Sequence, residues 1–266
     1  MRIASAQIAS VAGDIEANVR KMGDFAVRAK EAGADYVIFP EAADTGYSMR
    51  AIRQYATTFE EGAVPQLREV ARTHAIGIIS GVAEREEAAI YNSQVAIDRG
   101  GQIIATYRKS HLFSPAPIEE HKCFTPGDRL MSIELDGFQV GLTICYDLRF
   151  PEVYRTLACE SGANVFLVSS AWPFPRVEHL RVLALARAIE NQSYVVLANA
   201  VGIHDRITSC GSSAIIDAYG VTVASASADR EELIVADISE EVVRSVRERM
   251  GVFAHRRTEL YGKRCS

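Results

Sequence analysis

Phe138-Gln139-Val140-Gly141-Leu142-Thr143-Ile144-Cys145-Tyr146-Asp147-Leu148-Arg149-Phe150-Pro151-Glu152 is the stretch on which the reading of this chain turns. An apolar, β-like run over residues 138–144 delivers one cysteine to its end. Polar residues follow at once, and Pro151 then opens a helix, since proline is tolerated in a first turn. A thiol at the end of a buried strand, beside a helix start, is where a reactive nucleophile can be built. A free cysteine is equally at home as a small hydrophobe in a core. What tips the balance lies elsewhere in the chain.

Upstream, Asp136-Gly137 marks a hairpin turn feeding the cysteine strand. Before it, residues 110–130 form a long connection with Pro115, Pro117, Pro126 and Gly127, and long loops in compact domains are often functional. Strands over 91–98 and 102–107 are joined by Gly100-Gly101, a second hairpin signal, and run into Arg108-Lys109. Nearer the start, residues 2–9 read as a strand and 14–32 as a helix with Asp14 as N-cap and Gly33 as stop. Residues 36–39 are a short run apolar on both faces, ending at Pro40-Glu41. Helices over 48–56 and 65–74 precede a strand over 76–82.

Downstream, a helix over 151–161, a strand over 164–168 and a Pro-rich loop with Trp172 lead to a helix over 176–191. Strands over 194–201, 209–217, 221–226 and 233–237 follow, with Tyr219-Gly220 as a turn. Ser239 caps a last helix running to about residue 250, and the tail 251–266 is basic and aromatic. Helix crossovers mixed with hairpins imply an α+β chain with a mixed sheet, or two sheets, and helices outside. With no repeat or linker in sight, the 266 residues read as one domain.

Composition narrows the function classes. A net charge of -5 offers no electrostatic pull on nucleic acid or an anionic membrane surface. No apolar run approaches the roughly 18 residues that a bilayer span needs. The five cysteines, 123, 145, 159, 210 and 265, are odd in number and irregular in spacing. They suit a reduced, cytoplasmic compartment better than a disulfide framework. No C-x-x-C pair suggests a zinc site; His111, His121 and Cys123 share a loop without metal-ligand spacing, so the expectation is no metal and no cofactor. Cys159, Cys210 and Cys265 have no set of charged residues arranged around them and read as packing or tail residues. Serine-hydrolase, dinucleotide and P-loop motifs are missing.

Three chemically capable residues sit just past apolar strands: Glu41 after residues 37–40, Lys109 after 103–108 and Cys145 after 140–144. Carboxyl ends of strands are where open α/β sheets collect ligands, so neighbouring strands would make the three converge. A carboxylate whose pKa burial has raised can take a thiol's proton. An ammonium nearby favours the thiolate and can bind a developing oxyanion. Each residue alone is ordinary surface or core material; together they suit attack on a carbonyl-like carbon.

Phe39-Pro40-Glu41 with Gly46-Tyr47, then Tyr107-Arg108-Lys109-Ser110-His111-Leu112, then residues 144–152 resemble the three signatures of the carbon–nitrogen hydrolase (nitrilase) superfamily. The similarity runs over almost the whole chain, to Arg187-Ala188-Ile189-Glu190-Asn191-Gln192 and beyond. It implies a four-layer α-β-β-α sandwich with mixed sheets, commonly paired into homodimers; the tail at 251–266, with Arg256, Arg257, Lys263 and Arg264, reads on its own charges as a surface arm contacting the partner subunit. It also implies roles: Glu41 as general base and then acid, Cys145 as the thioester-forming nucleophile, Lys109 and the Tyr146 backbone N–H as oxyanion donors. A second glutamate is implied before Phe124-Thr125-Pro126-Gly127; this is Glu120, with Glu119 as the lesser choice. Tyr146-Asp147 stands where true nitrilases typically carry Trp-Glu, which moves the resemblance to the amidase branches, including ω-amidase and deaminated-glutathione amidase relatives.

The expected activity is therefore hydrolysis of a small linear carboxamide to carboxylate and ammonia, needing only substrate and water. N-carbamoyl amine hydrolysis is the rival within the class. A catalytically silent interaction module and a thiol redox sensor are the rivals outside it. Trp172 and Tyr47 are candidate pocket walls. Arg176, beside the Trp172 loop, is a candidate partner for a substrate carboxylate, which would favour 2-oxo acid ω-amides such as 2-oxoglutaramate.

Overall fold

The computed structural model describes residues 1–205 and 207–261. In chain order the strands are β1 (Arg2–Gln7), β2 (Tyr36–Ile38), β3 (Gly77–Glu86), β4 (Ala89–Ile97), β5 (Ile103–Arg108), β6 (Met131–Leu135), β7 (Phe138–Ile144), β8 (Val165–Ser170), β9 (Tyr194–Asn199), β10 (Val201–His204), β11 (Ile207–Cys210), β12 (Ala214–Ile216), β13 (Thr222–Ser225) and β14 (Glu232–Asp237). The helices are α1 (Ile15–Glu31), α2 (Met49–Tyr55), α3 (Ala63–His74), α4 (Pro151–Glu160), α5 (Val177–Asn191) and α6 (Glu240–Arg249).

Two six-stranded sheets form, in the orders β14-β1-β2-β3-β4-β5 and β13-β12-β9-β8-β7-β6, with β10-β11 as a separate ribbon. Each large sheet has a parallel centre, β1-β2-β3 or β7-β8-β9, flanked by antiparallel strands. The side-chain alternation of strands explains the layers. Ala4, Val37, Ile78 and Val95 point one way, onto Met22, Phe25 and Ala26 of α1 and Leu67 of α3. Their sequence neighbours Ile3, Ile38, Ile79 and Ala96 point the other way, into a core shared with Val140, Leu142, Phe166 and Val195 of the second sheet and with Leu157 and Leu180 of α4 and α5. The result is the predicted α-β-β-α sandwich. Hydrogen bonds stitch the sheets together: Ser5 Oγ to Leu197 O (2.9 Å), Ser169 Oγ to Phe39 O (2.7 Å) and Gln94 Nε2 to Ser169 Oγ (2.8 Å).

Helix starts follow the sequence signals, with Asp14, Ser48 and Ser239 each accepting a backbone N–H as N-cap. One stretch departs from expectation. The strands predicted over 194–201 and 209–217 are each cut in two. The Asn199 amide donates to Gly211 O (2.6 Å), and Gly211 and Ser212 both adopt positive φ. That turn ends β9 and sends β10 and β11 out as a ribbon, which pattern reading over an apolar run cannot foresee. The described part of the tail, 251–261, ends in one 3₁₀ turn, Thr258–Leu260. Lys263, Arg264 and Cys265 lie outside the described residues.

Candidate active site

Glu41, Lys109 and Cys145 do converge, though not by strand adjacency. β3 and β4 separate β2 from β5 within one sheet, and Cys145 arrives from the other sheet. The meeting point is the shared end of the two stacked sheets, so sandwich packing brings the residues together.

Each side chain is held by local backbone geometry. Glu41 rides in a loop bonded back to β3 through Gly81 N–H to Pro40 O (3.1 Å) and Ala43 N–H to Gly81 O (2.9 Å). A Cβ at Gly81 would lie 2.5 Å from the Glu41 Cα, so only glycine admits the loop. Lys109 is fixed by its N–H to Asn92 O (2.8 Å) and by Gly127 N–H to its own carbonyl (2.9 Å). Cys145 has φ +43°, an unusual left-handed value for a non-glycine residue. It starts a 3₁₀ turn, Cys145–Arg149, in which Tyr146, as second residue, has an N–H with no intrahelical acceptor.

Glu41, Lys109 and Glu120 are fully buried, and Cys145 nearly so. The Lys109 ammonium donates to Glu41 Oε1 (2.7 Å) and to Glu120 Oε1 and Oε2 (2.8 and 2.9 Å). Glu41 Oε2 accepts the Ala171 N–H (2.9 Å), and Glu120 accepts from the Tyr47 hydroxyl (2.7 Å) and the Phe113 N–H (2.6 Å). Glu120, not Glu119, faces the site; Glu119 pairs with Lys122 at 2.7 Å on the outside.

Burial raises the Glu41 pKa, with Lys109 opposing and Glu120 assisting. Burial alone would lower Lys109, but the carboxylates of Glu120 and Glu41 outweigh it and hold the ammonium well above the ordinary lysine value. The Cys145 thiol is pushed well up, first by burial and then by Glu41; Lys109 and the Ser170 hydroxyl pull the other way and lose. The ammonium favours the thiolate, as expected, but burial and Glu41 outweigh it, and a sulfur so placed would need a base to act as a nucleophile.

Tyr47, Tyr146, Trp172 and Arg176 line the cavity in front of Cys145, with Phe113, Ile118 and Arg149. Its free volume is about 10 Å³, room for roughly one water. Arg149 lies over the Trp172 ring (4.8 Å) and Arg176 over Phe113 (5.4 Å); among the described residues neither is ion-paired with a carboxylate.

Three contributors escaped the sequence reading. Asn92 Nδ2 donates to Glu41 Oε1 (2.7 Å) and Glu120 Oε1 (3.2 Å). Its signal was present: Asn92-Ser93-Gln94 is a polar triplet buried inside an otherwise apolar strand. Arg149 stood in plain view four residues after Cys145. Ser170, at the end of β8, carried no local signal. Cys159 also departs from expectation, because Arg256 of the tail donates to its sulfur at 2.9 Å. His111 bonds Asp147 at 2.9 Å, whereas Cys123 is partnered by the Met49 carbonyl.

With this geometry in hand, relatives give the arrangement its family. The carbon-nitrogen hydrolase family model matches residues 2–248. A 2-oxoglutaramate amidase from Bacillus subtilis is 37% identical over 246 residues, covering 92% of this chain and 93% of that one. Saccharomyces cerevisiae Nit3, a member of branch 10 of the nitrilase superfamily, superposes with a TM-score of 0.88 at 29% identity, covering 97% of this chain and 96% of the other. A mutant amidase from Nesterenkonia sp. AN1, with acrylamide added at its active site cysteine, superposes with a TM-score of 0.85 at 28% identity over 98% of each chain. The family model spans nearly the whole chain, and a relative 37% identical covers 92% of it: this chain belongs to the carbon-nitrogen hydrolase family.

Proposed function

We propose that this enzyme hydrolyses the amide of a small linear ω-amide bearing a carboxylate, through a thioester on Cys145. The observation that carries the reading is the sealed contact of Glu41, Lys109 and Glu120 beside a neutral thiol. As the sulfur attacks the amide carbon, Glu41 takes the S–H proton. Lys109 and the Tyr146 N–H hold the oxyanion of the tetrahedral adduct. Glu41 then passes its proton to the amide nitrogen, the C–N bond breaks and ammonia leaves. Water attacks the thioester, Glu41 accepts its proton, and collapse releases the carboxylate and returns the proton to sulfur. Glu120 touches no bond that changes; it orients Lys109.

Two guanidiniums without carboxylate partners beside the thiol support an anionic substrate tail, with Arg176 and Arg149 as its ligands and Tyr47 and Trp172 as walls. The similarity to 2-oxoglutaramate amidases points the same way. Four free thiols, Cys123, Cys145, Cys159 and Cys210, support a cytoplasmic setting. Val182 and Ile189 on α5 are exposed, as are Tyr219 and Val221 on either side of Gly220, which lies against Ile189; these apolar side chains support a homodimer.

Ammonia release from a panel of amides tests the reading, with Cys145→Ala as the inactive control. Arg176→Met and Arg149→Met should raise KM for a carboxylate-bearing amide about 10- to 100-fold each, the worth of a charge-assisted hydrogen bond. A neutral aliphatic amide should be unaffected. Equal effects on both substrates would refute carboxylate recognition, and an active Cys145→Ala would refute the nucleophile.

A further inference from the structure

We propose that His111 is a positioning residue for the Cys145 nucleophile, acting through the buried carboxylate of Asp147. The inference rests on Cys145 being the nucleophile. Asp147 lies two residues beyond Cys145 in the same 3₁₀ turn and is fully buried. Its Oδ2 accepts the N–H of Ile144, the residue just before Cys145, at 3.0 Å, and the Tyr107 hydroxyl at 2.8 Å. Its Oδ1 accepts the Nδ1–H of His111 at 2.9 Å, with the Ser110 hydroxyl at 3.4 Å.

Tyr107, Ser110 and His111 flank Lys109 in the chain. The carboxylate therefore ties the segment bearing the ammonium to the turn bearing the thiol, across the gap between the two sheets. The His111 ring also stacks on Phe150 (3.8 Å, 16° between planes), the residue that closes the turn. One side chain thus braces the cysteine turn twice, by a hydrogen bond to its middle and by a ring on its end.

The turn needs bracing because Cys145 sits at φ +43°, where a non-glycine residue stays only if its surroundings impose it. His111 is one-third exposed and takes no part in the proposed chemistry, so replacing it does not open the core.

The test compares wild type with His111→Phe, which keeps a stacking ring but loses the donor, and His111→Asn, whose amide can restore a donor to Asp147. The readouts are kcat, KM, the thermal midpoint and the iodoacetamide alkylation rate of the Cys145 peptide by mass spectrometry. His111→Phe should lower kcat and the alkylation rate on the order of 10- to 100-fold with KM little changed, as displacement of a reacting atom does. His111→Asn should recover most of both at a similar thermal midpoint. Tyr107→Phe, which removes another donor to the same carboxylate, should move both rates in the same direction. Wild-type rates in His111→Phe, or no recovery in His111→Asn, would overturn the proposal. Alkylation reads the sulfur's placement without amide turnover. A wild-type chain that cleaves no amide would therefore sink the amidase reading and leave this one to stand or fall on the alkylation rates.

Discussion

Arg108 and Lys109 are consecutive residues, and each holds two glutamates. Arg108 points outward to Glu84 and Glu86 (2.8 Å to the latter) and lies over the Tyr91 ring at 3.8 Å. Lys109 points inward to Glu41 and Glu120 at 2.7 and 2.8 Å. The charge count is the same, one cation to two carboxylates, because a strand sends neighbouring side chains to opposite faces. Solvent makes the difference. Glu86 is 57% exposed, and its hydrogen bond to Arg108 lowers its pKa, whereas Glu41 is sealed and burial raises it. At the rim the cation's hydrogen bond lowers Glu86; in the sealed cluster burial outweighs the cation and raises Glu41, which suits its proposed role as base for a thiol.

Three experiments test that contrast. Lys109→Met should be the most damaging, leaving Glu41 and Glu120 buried with no cation between them. We expect kcat to fall by at least ~10³, the loss of an oxyanion donor, and stability to fall by about 3–5 kcal/mol, the cost of breaking a buried ion pair. Steady-state kinetics and thermal unfolding check both numbers.

Next is pH. Glu41 must be ionised to accept the thiol proton, and burial holds its pKa above the ordinary carboxylate value. Activity should therefore be present at high pH and disappear as pH falls through this raised value. The acid limb of the kcat/KM profile should lie higher than an ordinary carboxylate's. An acid limb at or below 4.5 would contradict a base raised by burial.

The smallest effect belongs to Arg108→Gln. Glu84 would keep the Ser93 hydroxyl as a donor, so we expect a loss of about 1–2 kcal/mol in unfolding and kcat within about threefold of wild type. A kinetic effect as large as that of Lys109→Met would erase the distinction between the two clusters.

Much of this was legible in the chain. Glu41, Lys109 and Cys145 each follow an apolar strand, and Asp14, Ser48 and Ser239 announced their helices. Glu120 was legible only through resemblance, since nothing local separates it from Glu119; tertiary burial of the Glu120 side chain decides between them. Asn92 bonds Glu41 and Glu120, and Ser170 lies beside Cys145; these partners are far along the chain, and no window of sequence contains them.

Most elements, the residue types at the strand ends and the family can be read from the chain alone, because strand alternation, caps and motif spacing are short-range properties. Only the tertiary structure decided that Glu41 and Cys145 approach each other across two stacked sheets and that Asp147 holds the cysteine turn. It also set the direction in which the thiol is shifted, upward by burial and by Glu41. Desolvation is the reason: a charge's cost depends on what surrounds it in space, and the chain's order does not state that.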